Sequence, residues 1–148
     1  MNHSVNIRNI RPGDNAALAK IVKDTMAEFG VNRPNTVYFD PTTDALFELF
    51  QKKGSVYNVA EINNETAGGA GIYPTDGLPD DTCELVKMYL VPKARGLGLG
   101  RILIEKCLDQ AKNLGYKKIY LESMPELKQA LKVYAKFGLI PTPTLIFP

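Results

Sequence analysis

Apolar and polar positions alternate from Val5 to Ile10, with Val5 and Ile7 set against Asn6 and Arg8, and the run stops at Arg11-Pro12-Gly13. That period of two predicts a half-buried strand. Beyond Asp14, which reads as a helix cap, Leu18, Ile21, Val22, Met26 and Phe29 recur at helical spacing until Gly30 closes the series. An amphipathic helix of about four turns is expected. No period is visible from Val31 to Asp40, which contains Pro34, and a loop is predicted there. Leu46, Leu49 and Phe50 then mark the inner face of a helix from about Thr42 to Lys52, ended by Gly54. Val56 to Ile62 has strand composition, Asn63-Asn64 suits a two-residue turn, and Thr66 to Tyr73 returns. The three segments predict a hairpin.

The second half has a different rhythm. Pro74 to Asp81 is a loop rich in Pro, Gly and Asp, followed by a more apolar strand, Cys83 to Val91, which Pro92 stops. Leu103, Ile104, Cys107, Leu108, Ala111 and Leu114 share one face of a helix from Gly98 to Leu114, with Gly115 at its C-cap. Lys118 to Leu121 is a short strand. Ser123-Met124-Pro125-Glu126 carries a capping box with proline in the first turn, so a helix starts there and runs through Leu127, Ala130, Leu131, Val133, Tyr134 and Phe137 to Gly138. The tail Leu139 to Pro148 holds three prolines and has room for a short edge strand only. A hairpin early and strand–helix units late imply antiparallel and then parallel pairing. The expected fold is α/β: one domain over residues 1–148, a mixed twisted sheet with helices on both faces.

Composition narrows the chemistry. With 148 residues and a net charge of +2, scattered along the chain, the sequence suits one globular domain and shows no stripe that would track nucleic acid. No apolar window approaches a membrane span and the start lacks a signal-like segment, so the expected location is the cytoplasm. The single histidine is His3, which removes histidine-based triads and general bases. Cys83 and Cys107 have neither the spacing nor the histidine partners of a zinc site, and no metal is expected.

The segment that carries chemistry is Arg95-Gly96-Leu97-Gly98-Leu99-Gly100-Arg101, between a strand and a helix. Glycines let backbone N–H groups approach an anion without a Cβ in the way, and a helix start adds unpaired donors and the positive end of its dipole. Three glycines at alternate positions exceed what a tight turn needs. The ligand should carry phosphate. A Walker loop would require Gly-x-x-x-x-Gly-Lys-Ser/Thr, which is absent, and a dinucleotide fingerprint starting at Gly96 would end on Arg101 rather than glycine.

What the segment does match is Arg/Gln-x-x-Gly-x-Gly/Ala, and here the sequence resembles the GNAT superfamily of N-acetyltransferases. The resemblance runs from the Ile7 strand to Phe137-Gly138 and is most specific over Cys83 to Arg101 and over Tyr134-Ala135-Lys136-Phe137-Gly138-Leu139. It looks like free-standing bacterial acetyltransferases that modify small amines or amino acids. The resemblance implies that acetyl-CoA is the cosubstrate and that Leu90 and Val91 offer backbone groups to its pantetheine arm. It also implies that Arg95, Gly96, Leu97, Gly98, Leu99, Gly100 and Arg101 wrap the pyrophosphate. Tyr134 would serve the CoA sulfur, and Glu84 stands where some members place a general base. The chain departs from the family at Leu127, often Asn, and at Leu139, usually Phe.

Direct attack of an amine on a thioester needs a neutral amine, a polarised carbonyl and a stabilised thiolate, with no covalent intermediate. That chemistry suits a chain without a usable histidine. Periodicity alone favours a core tyrosine at 134 beside Leu127, Ala130 and Leu131, whereas the resemblance implies that Tyr134 protonates the thiolate. Glu84 lies in an apolar strand where partial desolvation would raise its pKa, and Glu122 at the next strand end is a second candidate base. The expected function is transfer of acetyl from acetyl-CoA to the primary amine of a small metabolite or amino acid. The alternatives are a non-catalytic acyl-CoA sensor or a peptide or protein acceptor. A homodimer is expected because the short tail leaves a sheet edge to cover.

Overall fold

The computed structural model describes residues 4–28, 30 and 40–120, and the backbone of 144–146. A six-stranded sheet in sequential order crosses the molecule. Its strands are β1 (Val5–Asn9), β2 (Val56–Ile62), β3 (Glu65–Tyr73), β4 (Thr82–Leu90), β5 (Lys118–Tyr120) and β6 (Thr144–Ile146). Pairing is antiparallel except between β4 and β5, which run parallel. The helices are α1 (Asn15–Glu28), α2 (Leu46–Leu49) and α3 (Leu99–Asn113). The expected helix after Ser123 lies outside the described residues.

Side-chain alternation along β2 divides the core into two layers. Tyr57 and Val59 face α1 and α2, packing with Leu18, Val22, Met26, Leu46 and Phe50. On the other face Ala60, with Ala70 and Ile72 of β3 and Cys83 and Leu85 of β4, meets Leu103, Ile104, Cys107 and Ala111 of α3. A fully buried Leu or Ile contributes about 1.5–3 kcal/mol, so the apolar stripe of α3 alone is enough to dock it. Helices therefore cover both faces of a mixed sheet, as the periodicities require.

The β2–β3 hairpin turns at Asn63 and Asn64, with φ of 51° and 68°. Positive φ at both turn positions is the geometry that matches strand twist, and asparagine tolerates it. Two expectations change. Asp14 does not cap α1 forward: its carboxylate accepts the Arg11 N–H (2.7 Å) and pairs with Arg8 through two bonds of 2.8 Å. This ties β1 to the turn Pro12–Asp14. The helix expected from Thr42 to Lys52 is instead a 3₁₀ turn, Pro41–Asp44, a break at Ala45 (φ −135°, ψ 46°), and the short α2. The cause is tertiary. Asn15 of α1 accepts the Phe47 N–H at 2.8 Å and donates to Glu48 at 2.9 Å, so another element caps α2 from the side.

Candidate active site

Strand β4 ends in a 3₁₀ turn, Pro92–Ala94, anchored by the buried Ala94 and by the Val91 N–H bonded to Ala67 O at 2.9 Å. Gly96 and Gly98 follow with φ of 78° and 82°, a conformation that L side chains rarely adopt, and a Cβ at either would meet nothing within 4 Å. Open space in front of the loop is what a bound phosphate needs. Helix α3 then begins at the buried Leu99, and its first bond runs from Ile102 N–H to Gly98 O at 3.2 Å. The N–H groups of Leu99, Gly100 and Arg101 thus precede any intrahelical acceptor. Gly100 serves packing instead. A Cβ there would lie 3.1 Å from Met88 Cε, so its absence lets α3 sit close on β4.

The two arginines flanking the loop act differently. Arg95 turns toward α1, where its guanidinium grips the Glu28 carboxylate at 2.7 and 2.9 Å and donates to Leu90 O at 3.0 and 3.2 Å. Arg95 is held by the protein and braces the loop against α1 and the end of β4. Leu90 O and Val91 N–H, two of the strand-end groups, are likewise engaged internally. Arg101 is exposed and bonds Glu105 one turn along α3 at 3.2 Å, a surface pair that a polyanion could exchange. A cleft of about 320 Å³ opens beside this junction, lined by Ile21, Asp24, Thr25, Glu28, Val91 and Pro92.

Upstream, β4 carries an extra residue. Gly69 pairs with Tyr89 and Gly71 with Val86, so two steps on β3 face three on β4. Lys87 sits at this bulge with φ 55°. Left-handed backbone costs a long side chain about 1–2 kcal/mol, so its neighbours must hold it there. Tyr57, 1% exposed, donates its hydroxyl to Lys87 O at 2.8 Å. Burial raises that phenol well above its ordinary range. The ring reaches the bulge across β3 because Gly69 and Gly71 leave a slot: a Cβ at these positions would lie 2.6 Å from Tyr57 Cε1 or 2.8 Å from Cδ2. The phase change after the bulge turns Met88 and Leu90 to the α3 layer and Tyr89 to the α1 layer.

Glu84 is partly buried in β4, opposite Tyr73 on β3 and Tyr120 on β5, and accepts the Thr75 hydroxyl at 2.6 Å. Burial lowers the Lys87 ammonium below its usual range, opposed by the charges of Asp40 and Glu84. Tyr89 donates to Met26 Sδ at 3.8 Å, and burial pushes it up to about 12. Both cysteines are buried, with thiols raised to about 12 by desolvation, and neither supplies a thiolate near neutral pH. Tyr134 and Glu122 lie outside the described residues, so Glu84, Leu90, Val91 and the loop from Arg95 to Arg101 are the sequence-derived site groups whose geometry can be given. Tyr57, Lys87 and the Arg95–Glu28 clasp were missed by sequence reasoning. One signal was present: the apolar positions of β4 run 83, 85, 88, 90, and the step of three requires an extra residue.

Among the described residues, no helix is long and apolar enough to cross a membrane. The model of the Acetyltransferase (GNAT) family matches residues 18–139. An uncharacterized N-acetyltransferase of Escherichia coli, YjgM, is 37% identical over 134 residues, covering 89% of this chain and 80% of that protein. A Clostridium acetobutylicum protein described as a predicted acetyltransferase, solved with acetyl-CoA, superposes with a TM-score of 0.76 at 25% identity, covering 94% and 92% of the two chains. A GNAT-family acetyltransferase of Staphylococcus aureus shares the fold with a TM-score of 0.77 at 20% identity, over 90% and 81% of the two chains. The family match over residues 18–139 and a relative 37% identical across most of both chains place this protein in the GNAT family of acyl-CoA-dependent N-acetyltransferases.

Proposed function

We propose that this protein transfers the acetyl group of acetyl-CoA to the primary amine of a small metabolite. The observation that carries the reading is the glycine loop: two left-handed glycines with clear space before them, followed by three helix-start N–H groups without an intrahelical acceptor. Such an array suits a pyrophosphate, with Arg101 adding charge at the surface. Acetyl-CoA supplies a thioester carbonyl activated for attack. Glu84 accepts a proton from the acceptor's ammonium, directly or through water, and the neutral amine nitrogen attacks the carbonyl carbon. As the C–S bond breaks, Tyr134 donates its phenolic proton to the departing sulfur. Arg95 keeps the loop registered on α1 and β4 through Glu28 and Leu90 O.

Two measurements test this. Acetyl-CoA at about one hundred times its Kd should stabilise the fold by roughly 2.7 kcal/mol, or about 5–10 °C in Tm, whereas ATP and NAD should do much less. Thiol release with acetyl-CoA should then appear with members of a panel of amines and amino acids. An equal shift with NAD would overturn the cosubstrate. Binding without thiol release for any amine would point to an acyl-CoA sensor.

A further inference from the structure

Outside the glycine loop, Lys87 is a half-buried charge at the bulge of β4. Among the described residues its ammonium makes no hydrogen bond and no ion pair; the contact made at this residue is through its carbonyl, held by Tyr57. The nearby carboxylates each accept from a threonine and keep acceptor capacity beyond that. Glu84 accepts the Thr75 hydroxyl at 2.6 Å, and Asp40 accepts both the N–H and the hydroxyl of Thr42 at 2.9 Å. Both act on Lys87 through space without pairing with it. Lys52 lies over the Tyr73 ring at 5.5 Å.

The backbone shows that this placement is built. In an unbroken strand, residues three apart point to opposite faces. The bulge breaks that alternation between Val86 and Tyr89 and leaves Lys87 within the influence of the Glu84 and Asp40 charges, at a left-handed φ that Gly69, Gly71 and the Tyr57 hydroxyl support. A cation partly withdrawn from water and left without a partner gains most from an anion that arrives with a ligand. It stands three positions from the carboxylate of Glu84, which attracts an ammonium.

We propose that Lys87 anchors an anionic group of the acceptor, and that the acceptor is an amine carrying a carboxylate, as an amino acid does. This rests on the acetyltransferase reading above and names the substrate class for it. The ammonium end of the acceptor faces Glu84 and the carboxylate end faces Lys87. Lysine serves here as a point charge with three donors, which suits a carboxylate at one end of a small molecule.

The test compares amino acids with the amines left by removing their carboxylate: phenylalanine with phenethylamine, leucine with isoamylamine, alanine with ethylamine. In the parent, kcat/KM should favour the carboxylated member. Lys87→Met should reduce that preference about 10- to 100-fold, the range for a hydrogen bond to a charged group. Lys87→Asn, better suited to left-handed backbone, should do the same, and Lys87→Arg should restore most of it. Equal losses for both members of each pair, or a parent that favours the decarboxylated amines, overturn the proposal. A second arm needs no turnover: calorimetry of the corresponding N-acetyl amino acids with the CoA-bound protein. If no amine releases thiol while this binding depends on Lys87, acetyl transfer fails and the anchor stands. Binding that is absent, or indifferent to Lys87→Met and Lys87→Asn, overturns the anchor.

Discussion

Replacing Tyr57 by phenylalanine removes one oxygen from a ring that is 1% exposed and leaves the ring in its slot above Gly69 and Gly71. What is lost is the 2.8 Å bond to Lys87 O. The carbonyl left behind belongs to a half-buried residue, and an unsatisfied buried acceptor costs about 1–3 kcal/mol. For a domain of this size that is roughly 2–12 °C in Tm. Urea denaturation should show a lower midpoint with an unchanged slope, because the surface exposed on unfolding is the same. The carbonyl also belongs to the residue that sets the bulge, so relaxation there should disturb the strand on the acceptor side. Measured well below its Tm, the variant should lose kcat/KM for its amine by about tenfold while its affinity for acetyl-CoA, bound at the glycine loop, changes little. A Tm within about 1 °C of the parent together with full kcat/KM would refute the idea that this hydroxyl holds the bulge.

Gly98→Asp introduces a Cβ at φ 82° and a negative charge where a phosphate is expected; the protein should stay folded, since nothing lies within 4 Å, and acetyl-CoA binding by calorimetry should disappear. Asp14 is held below its ordinary value of 3.8, first by its hydrogen bonds from Arg8, so its contribution to stability is complete above about pH 4 and lost as pH falls through the folded value. Asp14→Asn should therefore destabilise at pH 7 by about 2–4 kcal/mol and flatten the acid side of the stability profile; an unchanged profile would show that the pair contributes nothing. Tyr134→Phe should leave acetyl-CoA affinity intact and lower kcat by about 10²-fold, and full turnover with chemistry rate-limiting would return the tyrosine to a packing role. Glu84→Gln should lower kcat in the same manner, with water-mediated proton transfer accounting for any remaining activity.

Much of the architecture was legible from local rules. Periodicity separated strands from helices because burial on one face imposes period two or period 3.6, and it located α1, α3 and the hairpin to within a residue or two. Asn63-Asn64 marked the turn because few residues accept left-handed backbone. The turn at Gly96 and Gly98 was legible for the same reason, since both take left-handed backbone. Each of these depends on neighbours in sequence.

What tertiary structure decided depends on partners distant along the chain. Asn15 caps α2 from 32 residues away, and that capture converts an expected helix into a turn and a short helix. Arg95 reads in sequence as a phosphate ligand, yet Glu28, 67 residues distant, takes its guanidinium and makes it a brace. The bulge needs Tyr57 to cross β3 and bond a carbonyl 30 residues on, with glycines at the crossing point, and no local window holds all of these together. The charge of Lys87 follows the same logic. Sequence records that a lysine is present, but whether it is paired depends on where the fold sets it relative to the carboxylates, and only the packed sheet determines that.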